Sequence, residues 1–356
     1  MNVYALIMAG GGGTRFWPLS RQSMPKQLLN LSGNDAMINE TIKRCEPFIP
    51  LKHIFIVTNE EQAATMDNIL MPQLPRENIL KEPVARNTAP CILYAAMHIY
   101  EKYGDGILCV FPSDHYITNE EMFLQLLRSA AAISEDCDHV LTIGIKPTYP
   151  ATGYGYIKRG PKKNQDNAYQ LDRFVEKPNL EKAKEYVTSG LYYWNSGIFI
   201  WKVSVAIQLF KRFLPRIYRE LSKMEGKFCA PQAQTLLKEI YPLLDNISVD
   251  YGIMERVDEA FVIPGDFGWN DVGSWDALGA VFPSDENGNI VKADFIGIGS
   301  KECIVYGEKK LIATVGVHNM VIVDTDDAIL ICDKQRAQDV KHVVDTLKAK
   351  GKMELL

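Results

Sequence analysis

Four consecutive glycines directly behind a short apolar run constrain this chain more than any other feature. Residues 3–8 are apolar and predict a short buried strand. Because glycine lacks a Cβ atom, the loop that follows can turn sharply and present its backbone N–H groups to a ligand, and consecutive inward amides form an anion site. A threonine hydroxyl and two cations come next. The pattern predicts a polyphosphate site formed by Ala9, Gly10, Gly11, Gly12, Gly13, Thr14, Arg15 and Lys26.

Two common glycine motifs do not fit this stretch. The dinucleotide fingerprint G-x-G-x-x-G needs a third glycine, and the chain has Arg15 or Phe16 at that place. The P-loop needs Lys-Ser or Lys-Thr directly after its last glycine, where the chain has Thr14 and Arg15. A plain strand-to-helix turn without a ligand is the alternative. It does not explain why Arg15, Pro18 and Lys26 occur together.

Composition limits the classes of protein that this chain can belong to. Its 356 residues suffice for one large domain and a small one. A net charge of −5 does not suggest binding to nucleic acid or to an anionic membrane. No apolar run approaches the roughly 20 residues that span a bilayer, and the first residues lack the basic segment of a signal peptide. Seven scattered cysteines without a C-x-x-C pair suggest reduced thiols. We therefore expect a cytoplasmic protein without nucleic-acid or membrane partners.

Strands and helices alternate over residues 1–150. This alternation predicts a Rossmann-like α/β fold with a mostly parallel sheet flanked by helices. In such sheets ligands bind beyond the carboxyl ends of the strands, so the glycine loop and Asp114, which both follow strands, should face one crevice. The predicted strands cover 3–8, 53–57, 106–111 and 140–145, and the predicted helices cover 36–45, 60–71, 88–103 and 119–134.

The pattern changes beyond residue 150. Strands and turns that carry polar groups come first, and helices follow from 203 to about 237. A turn cluster at 285–288 predicts the end of a large domain, residues 1–284, and the start of a small C-terminal β domain, residues 285–356. We expect the small domain to be solenoid-like and to support assembly rather than chemistry. Its predicted strands cover 303–306, 311–315, 320–323 and 328–331, and its closing helix covers 335–348.

The run E-P-V-A-R-N-T-A-P at 82–90 lies where a strand feeds a helix. Asn87 or Thr88 could simply cap that helix. Glu82 and Arg86 beside the cap also suit a nucleobase, since guanine offers N–H donors that a carboxylate can accept. We therefore predict that these four residues bind the nucleotide.

Two aspartates are candidates to hold a metal ion. A nucleoside triphosphate needs magnesium, which typically takes one or two carboxylates together with phosphates and waters. Asp114 follows a strand, and Asp271 lies in the run W-N-D-V-G-S-W at 269–275. Ser113, beside the first aspartate, is a further candidate to contact the nucleotide, whereas His115 is taken as structural. The alternative for Asp114 is a turn or cap residue.

Several of these segments together resemble one family. The pattern G-G-G-G-T-R-x-x-P-L-S with a later P-K resembles the signature of sugar-1-phosphate nucleotidyltransferases. The runs at 82–90 and 269–275 resemble those of mannose-1-phosphate guanylyltransferases, also called GDP-mannose pyrophosphorylases, and the resemblance covers nearly the whole chain. It implies that Asp114 and Asp271 bind the metal.

The resemblance also implies where the sugar phosphate binds, within residues 151–284. By their chemistry, Glu176 and Asn195 can bond sugar hydroxyls and Lys177 can hold the phosphate. A solvated charged pair at a strand end is the alternative for Glu176 and Lys177. The residues implied are Tyr154, Gly155, Glu176, Lys177, Asn195 and Ser196.

The implied reaction joins GTP and mannose 1-phosphate into GDP-mannose and pyrophosphate with Mg²⁺. A phosphate monoester is largely dianionic at neutral pH, with a second pKa of about 6, so an in-line attack on the α-phosphorus needs no general base. Catalysis then depends on positioning and electrostatics, with Arg15, Lys26, Asp114 and Asp271 as the catalytic residues. Lys26 follows a glycine-rich loop and a proline, a poor setting for a core residue.

Three alternatives to this reaction are open. One is transfer to another sugar phosphate, such as glucose 1-phosphate with UTP or dTTP, because the glycine loop does not discriminate. Another is a catalytically silent, nucleotide-sugar-sensing homologue, although both cations and both aspartates are present. A β-solenoid interaction module is the third. Longer family members carry an isomerase domain of cupin type that this chain lacks, so we expect only the transferase activity, in a homo-oligomer, namely a dimer.

Overall fold

A nine-stranded sheet forms the centre of the protein in the computed structural model, which describes residues 1–163 and 167–356. The order of its strands is β3-β2-β1-β4-β9-β6-β10-β8-β7, and β5 pairs with β11 outside it. The strands are β1 (Val3–Met8), β2 (Ile54–Asn59), β3 (Ile79–Glu82), β4 (Ile107–Pro112), β5 (Tyr116–Ile117), β6 (Val140–Ile145), β7 (Tyr156–Lys163), β8 (Ala168–Val175), β9 (Tyr192–Lys202), β10 (Ala260–Gly265) and β11 (Trp269–Asn270).

The sheet is parallel in its first part and mixed in its second. Strands β3, β2, β1 and β4 run parallel, while β9 lies antiparallel between β4 and β6. Strands β6 and β10 are again parallel, and β8 and β7 extend the sheet in antiparallel fashion. The predicted α/β class with helices on a sheet is confirmed. The segment beyond residue 150 adds its strands to the same sheet and brings β9 to its middle.

Eight α-helices of the described ranges belong to this part of the chain. The helix predicted at 88–103 and the strand predicted at 140–145 have the predicted bounds, whereas the stretch 203–237 divides into three helices. One of its breaks precedes a proline, which cannot donate the helical hydrogen bond. The helices are α1 (Met37–Cys45), α2 (Glu60–Ile69), α3 (Thr88–Tyr103), α4 (Glu120–Glu135), α5 (Leu180–Ser189), α6 (Val203–Phe213), α7 (Pro215–Ser222) and α8 (Ala233–Ile240).

Strand β1 shows why the sheet is covered on both faces. Side chains of successive strand residues point to opposite faces. Tyr4 and Leu6 pack in one apolar cluster with residues of α3, α6 and α8, and Ala5 and Ile7 pack in another with residues of α1, α2 and α4. Because all four are fully buried, the strand is apolar throughout, as is typical of a central parallel strand.

The C-terminal segment forms stacked short strands. Strands β12, β14 and β16 are parallel, as are β13 and β15, and β17 closes the stack in antiparallel fashion. The predicted solenoid-like arrangement is confirmed, and the closing helix starts later than predicted, after a 3-10 turn. The elements are β12 (Ile290–Lys292), β13 (Phe295–Ile298), β14 (Ile304–Gly307), β15 (Ile312–Val315), β16 (Met320–Asp324), β17 (Ile329–Asp333) and α9 (Val340–Ala349).

This C-terminal unit packs directly against the segment behind the glycine loop. Phe16 and Trp17 share an apolar cluster with Trp275 and with residues of β14, β16 and α9. The indole Nε1 of Trp17 donates to the Leu355 carbonyl at 2.8 Å. The sequence did not predict this contact, which ties the segment behind the glycine loop to the end of the chain. Within residues 1–163 and 167–356, no helix combines the length and the apolarity needed to cross a bilayer.

Candidate active site

A cavity of about 430 Å³ opens at the edge of the sheet where β1, β3 and β4 end. The glycine loop and Asp114 face it together, as predicted from their positions after strands. Most of the predicted site residues line it, although they come from distant parts of the chain. These are Gly10, Gly11, Glu82, Arg86, Asn87, Thr88, Ser113, Asp114, Tyr154, Gly155, Glu176, Asn195, Ser196 and Asp271.

The other predicted site residues lie around this cavity rather than on its wall. Ala9 is fully buried beneath the glycine loop. Arg15 is exposed and lines an adjacent cavity of about 670 Å³, for which Tyr154 and Asp271 form a wall shared with the first. Gly12, Gly13, Thr14, Lys26 and Lys177 line neither of these two cavities.

Gly13 shows why the loop needs a glycine next to the lysine. Its φ angle is +56°, in the left-handed region that favours glycine. A Cβ atom added there would lie 2.5 Å from the Cβ atom of Lys26, so a side chain would displace the lysine. The amide Nε2 of Gln27 donates to the carbonyl oxygens of Ala9, at 2.8 Å, and Gly11, at 3.0 Å. Gln27 thereby fixes the loop, a role that the sequence did not reveal.

Lys26 lies at the centre of the predicted metal site. Its Nζ atom donates to Asp114 Oδ2 at 2.9 Å and to the backbone oxygen of Asp271 at 2.5 Å. Only 5% of its side chain is exposed. The expectation that its setting is unlike the core is therefore wrong. A buried lysine is tolerated here because a carboxylate and a carbonyl compensate its charge.

The two aspartates differ in their electrostatic environment. Burial would raise the pKa of Asp114, but the positive charge of Lys26 and the hydrogen bond from its Nζ atom hold it below its ordinary value. Burial raises the pKa of Asp271, against the opposing effect of Lys26 and of the Tyr154 hydroxyl, which donates to Asp271 Oδ1 at 2.8 Å. A buried carboxylate with a raised pKa gains free energy from an additional cation nearby.

The carboxylates of Asp114 and Asp271 fit a hydrated divalent cation whose remaining ligands are substrate phosphates. Asp114 and Asp271 meet at Lys26, and each has a second carboxylate oxygen beyond the atoms already bonded. Among residues 1–163 and 167–356, no group of three or more His, Cys, Asp or Glu forms an all-protein metal cage. Magnesium typically uses one or two carboxylates plus phosphates, so the pair is suited to it.

Glu82 and Arg86 form one wall of the cavity. Glu82 is 5% exposed, and burial raises the pKa of its carboxyl to about 7, while a hydrogen bond from the Tyr241 hydroxyl opposes that shift. Arg86 donates to the backbone oxygen of Pro242. A guanidinium has five N–H donors, so this bond leaves others for a ligand.

The start of α3 explains Asn87 and Thr88. Asn87 is the N-cap residue, and its side-chain oxygen accepts from the Thr88 backbone N–H at 2.9 Å. Its φ of +66° and ψ of −172° form a backbone conformation that residues other than glycine rarely adopt. The Thr88 hydroxyl accepts from the Val249 backbone N–H at 2.9 Å. Asn87 therefore has the capping role that was the alternative for it, whereas Thr88 bonds a neighbouring segment, and both residues also line the cavity.

Glu176 lies at the opposite wall of the cavity and forms an ion pair with Lys177, which does not line the cavity. Lys177 Nζ lies 2.7 Å from Glu176 Oε1, and the lysine side chain is 59% exposed whereas that of the glutamate is 10% exposed. Glu176 Oε2 lies so close to Gly155 that a Cβ atom there would collide with it. The glycine therefore lets the buried carboxylate reach the cavity wall, and the pair is only partly solvated.

Strand β9 contributes two neighbouring polar side chains with different settings. The Ser196 hydroxyl donates to the Ile143 carbonyl at 2.7 Å and is buried, so it is bonded within the sheet. The amide of Asn195 donates to Asp250 Oδ1 at 2.9 Å. Asn195 is therefore oriented by a carboxylate at the cavity wall.

Asp250 is a wall residue that the sequence did not single out. It lines the cavity at the start of the helical turn Asp250–Met254. Burial, and next the negative charge of Glu176, raise the pKa of its carboxyl to about 6. A lone aspartate in a helical stretch gave no signal, since its neighbour Asn195 lies 55 residues earlier.

His115 and Ser113 lie beside Asp114 at the end of β4. The ring nitrogen Nδ1 of His115 accepts from Trp269 Nε1 at 3.0 Å, and burial lowers the pKa of the imidazole to about 4. The histidine is therefore a neutral acceptor at physiological pH. The Ser113 backbone N–H donates to the Met8 carbonyl at 3.2 Å, which holds the turn that carries Asp114 against β1.

Comparison with known families shows to which class of protein this sheet and its crevice belong. The family model "Nucleotidyl transferase" matches residues 4–288, so the chain belongs to the nucleotidyl transferase family. A second model, "MannoseP isomerase/GMP-like beta-helix domain", matches residues 293–347. Members of the first family generally use a divalent metal ion.

Several relatives are similar along nearly the whole chain. A mannose-1-phosphate guanylyltransferase of Salmonella muenchen is 39% identical over 98% of this chain and 74% of its own length. A protein of the same name from Klebsiella pneumoniae is 38% identical with the same two coverages. A crystal structure from Thermus thermophilus, described as a mannose-1-phosphate geranyltransferase, is 34% identical. It has a TM-score of 0.88 and covers 98% of this chain and 100% of its own.

Proposed function

We propose that the protein transfers GMP from GTP to α-D-mannose 1-phosphate, giving GDP-mannose and pyrophosphate. The proposal rests mainly on the junction of the buried Lys26 with Asp114 and Asp271, two residues that line the cavity. One wall beside this junction has groups suited to a base, and the opposite wall has groups suited to a sugar. The guanylyltransferase names of the relatives support the choice of substrates.

The base wall suits guanine. The Glu82 carboxylate can accept from the N–H groups of the base, and the free donors of Arg86 can reach its O6 and N7 acceptors, which is how arginine commonly contacts guanine. Asn87, Thr88 and Ser113 lie next to this wall and would contact the rest of the nucleoside.

The phosphates would lie along the glycine loop. The amides of Gly10 to Gly13, the Thr14 hydroxyl and Arg15 would bind the β and γ oxygens, and the position of Arg15 at the adjacent cavity suits the end of a triphosphate. Lys26 would act on the α-phosphate and the incoming phosphate, where the negative charges of the two substrates meet. Preorganised charges in a buried site act strongly because no solvent must reorganise.

The sugar wall would bind the second substrate. Glu176, Asn195 and the newly found Asp250 offer acceptors and a donor to sugar hydroxyls, and Tyr154 and Gly155 complete the wall. Ser196 would act through the backbone that it holds. Lys177 is bonded to Glu176, so its ammonium group would approach the phosphate of a sugar that binds beside Glu176 at the rim of the cavity.

The chemical step needs no protein base. An oxygen of the mannose 1-phosphate dianion would form the bond to the α-phosphorus of GTP, the bond from that phosphorus to the bridging oxygen would break, and pyrophosphate would leave. Lys26 would hold both phosphates near each other. Asp114 and Asp271 would hold a Mg²⁺ ion, which supplies positive charge against the repulsion of the two substrates.

Three further properties are part of the proposal. We place the protein in the cytoplasm, and we keep a division between residues 284 and 285 for its two domains.

We also propose that the protein forms a homo-oligomer, namely a dimer, and light scattering would test this. Support comes from apolar side chains that are at least half exposed on the C-terminal strands and the loop before β15, namely Ile296, Ile298, Leu311, Val315, Ile329 and Ile331.

Pyrophosphate release over a panel of substrates tests the proposed reaction. GTP with mannose 1-phosphate should give the highest kcat/KM. A preference for UTP or dTTP with glucose 1-phosphate would contradict the choice of substrates and leave the transferase class in place. Nucleotide-sugar binding without turnover for any pair would instead favour the silent regulatory homologue.

A further inference from the structure

A segment behind α8 holds both candidate base-reading residues. The Tyr241 hydroxyl donates to Glu82 Oε1, and the backbone oxygen of Pro242 accepts from Arg86. Glu82 and Arg86 lie about 160 residues earlier in the chain. Two neighbouring residues of one short turn thus contact both members of the base wall.

The same segment is anchored a second time at the start of α3. The Ala89 backbone N–H donates to the Ile247 carbonyl at 3.1 Å, and the Val249 backbone N–H donates to the Thr88 hydroxyl at 2.9 Å. We call residues 241–249 the base-wall clamp. Because the clamp is bonded at both ends, its first residue has a defined position relative to Glu82.

Tyr241 is suited to orient a carboxylate. The side chain is fully buried, and its ring packs edge-on against Tyr94 with the ring centroids 6.1 Å apart. Its hydroxyl bonds Oε1 of Glu82, while Oε2 lies near Gly10, 3.3 Å from the position of an added Cβ atom. One carboxylate oxygen is therefore fixed, and the other faces the glycine loop at the cavity.

We infer that Tyr241 is a positioning residue, whose hydroxyl holds the Glu82 carboxylate in the orientation that accepts the N–H groups of guanine. The inference rests on the proposed use of GTP and deepens it, because it names the residue that keeps the base-reading group in place. Tyr241 itself does not line the cavity.

The ionisation of Glu82 gives a readout beyond fold stability. The titratable groups that face it are Tyr241, Cys91 and Tyr94, and burial raises the pKa of each, so all three are neutral near pH 7. The Tyr241 hydrogen bond lowers the pKa of Glu82. Loss of this hydrogen bond should raise the pKa of Glu82. As the pH is lowered, the affinity for GTP should therefore begin to fall at a higher pH in Tyr241→Phe than in wild type.

Calorimetric binding of GTP to the full chain tests the inference with Tyr241→Phe, Glu82→Gln and the double variant. A hydrogen bond to a charged group typically contributes enough for about a 10-fold effect. We expect Tyr241→Phe to raise the Kd for GTP about 10-fold. The KM for mannose 1-phosphate and the Kd for UTP should stay within about 2-fold of wild type. In the Glu82→Gln background, the tyrosine substitution should have no further effect.

Tyr94→Phe is the matched control, since Tyr94 packs on Tyr241 but does not bond Glu82, and its GTP affinity should equal that of wild type. Wild-type GTP affinity in Tyr241→Phe, or losses that add in the double variant, would overturn the inference. A loss of affinity for both substrates alike would show a merely structural role and overturn it too. Wild-type affinity in Glu82→Gln would overturn the base wall together with the role of Tyr241, whereas a wild-type preference for UTP or dTTP would reject the proposed function itself.

Discussion

Lys26 and Lys177 both lie where a phosphate is expected, yet their surroundings are opposite. Lys26 is 5% exposed and bonds Asp114 and the backbone of Asp271, whereas Lys177 is 59% exposed and bonds Glu176. Charges interact more strongly in a buried, low-dielectric setting than at the surface, where water screens them. We therefore expect Lys26, Asp114 and Asp271, which we call the phosphate centre, to control turnover, and the sugar wall to control substrate affinity.

The largest effect should follow from Lys26→Ala. Loss of an electrostatic contact made in the transition state typically costs roughly 100- to 1000-fold in rate, and we expect kcat to fall by that amount. Because Asp114 loses its buried partner, we also expect a loss of about 1–3 kcal/mol in the free energy of unfolding. Turnover should be measured at a temperature at which circular dichroism shows a folded variant.

Lys43→Ala is the control for this variant, because Lys43 pairs with Asp35 at 2.6 Å on the surface. Near-normal kcat in a folded Lys26→Ala protein would mean that Lys26 serves only the fold. The proposed functional difference between Lys26 and Lys177 would then be wrong.

The next effect concerns the two aspartates of the phosphate centre. If Asp114 and Asp271 share one magnesium ion, Asp114→Asn and Asp271→Asn should each raise the magnesium concentration needed for half-maximal turnover and lower kcat by roughly 100-fold. The double variant should be much less harmful than the product of the two single effects, because groups that act as a unit are not additive. Magnesium titration at saturating substrates measures this, and unchanged titration curves in both single variants would exclude the shared ion.

A smaller effect is expected at the sugar wall. Lys177→Met should raise the KM for mannose 1-phosphate by about 10-fold, as expected for loss of a charged hydrogen bond, and leave kcat and the KM for GTP within about 2-fold. Lys158→Met is a matched control, since Lys158 pairs with Asp172 at the same 2.7 Å on a neighbouring strand. A fall in kcat as large as that of Lys26→Ala would contradict the expectation that Lys177 controls substrate affinity rather than turnover.

The smallest effect is expected at Asp250, where the change in stability should depend on pH in a defined direction. Because the pKa of Asp250 is raised from 3.8 to about 6, the folded state binds this proton more tightly than the unfolded state. The contribution of Asp250 to stability therefore falls as pH rises from about 4 to 6. Asp250→Asn should stabilise the protein at pH 7 by about 1–2 kcal/mol and raise the KM for mannose 1-phosphate about 5-fold.

Denaturant unfolding at pH 5 and pH 7 measures the change in stability, with Asp245→Asn as the control, since Asp245 pairs with Arg216 at 3.4 Å on the surface. Equal stability differences between wild type and Asp250→Asn at both pH values would contradict the raised pKa.

Elements with a strong local signal could be predicted from the sequence. The apolar run before the glycine loop is β1, and α3 begins after Asn87, whose side chain caps it. The carboxyl edge of the sheet then brings the glycine loop, Glu82 and Asp114 to one cavity, as the rule for parallel strands requires.

What depends on distant partners could not be predicted in this way. Lys26 can be buried because its Nζ atom bonds Asp114 and the backbone oxygen of Asp271. These partners lie 88 and 245 residues further along the chain. Asp250 and Tyr241 acquire their settings only through Asn195 and Glu82, which no local pattern connects to them. The contact of the C-terminal unit with Phe16 and Trp17 has the same origin, since it depends on how the strands stack in space.

The fate of the sugar-phosphate oxygens tests the proposed transfer most directly. Mannose 1-phosphate with ¹⁸O in its three non-bridging oxygens is incubated with GTP, Mg²⁺ and the protein, and the products are analysed by mass spectrometry and ³¹P NMR. We predict that GDP-mannose retains all three labels, one of them between the two phosphorus atoms, and that the pyrophosphate is unlabelled. Label in the pyrophosphate, or release of GMP without GDP-mannose, would contradict attack by the sugar phosphate on the α-phosphorus of GTP.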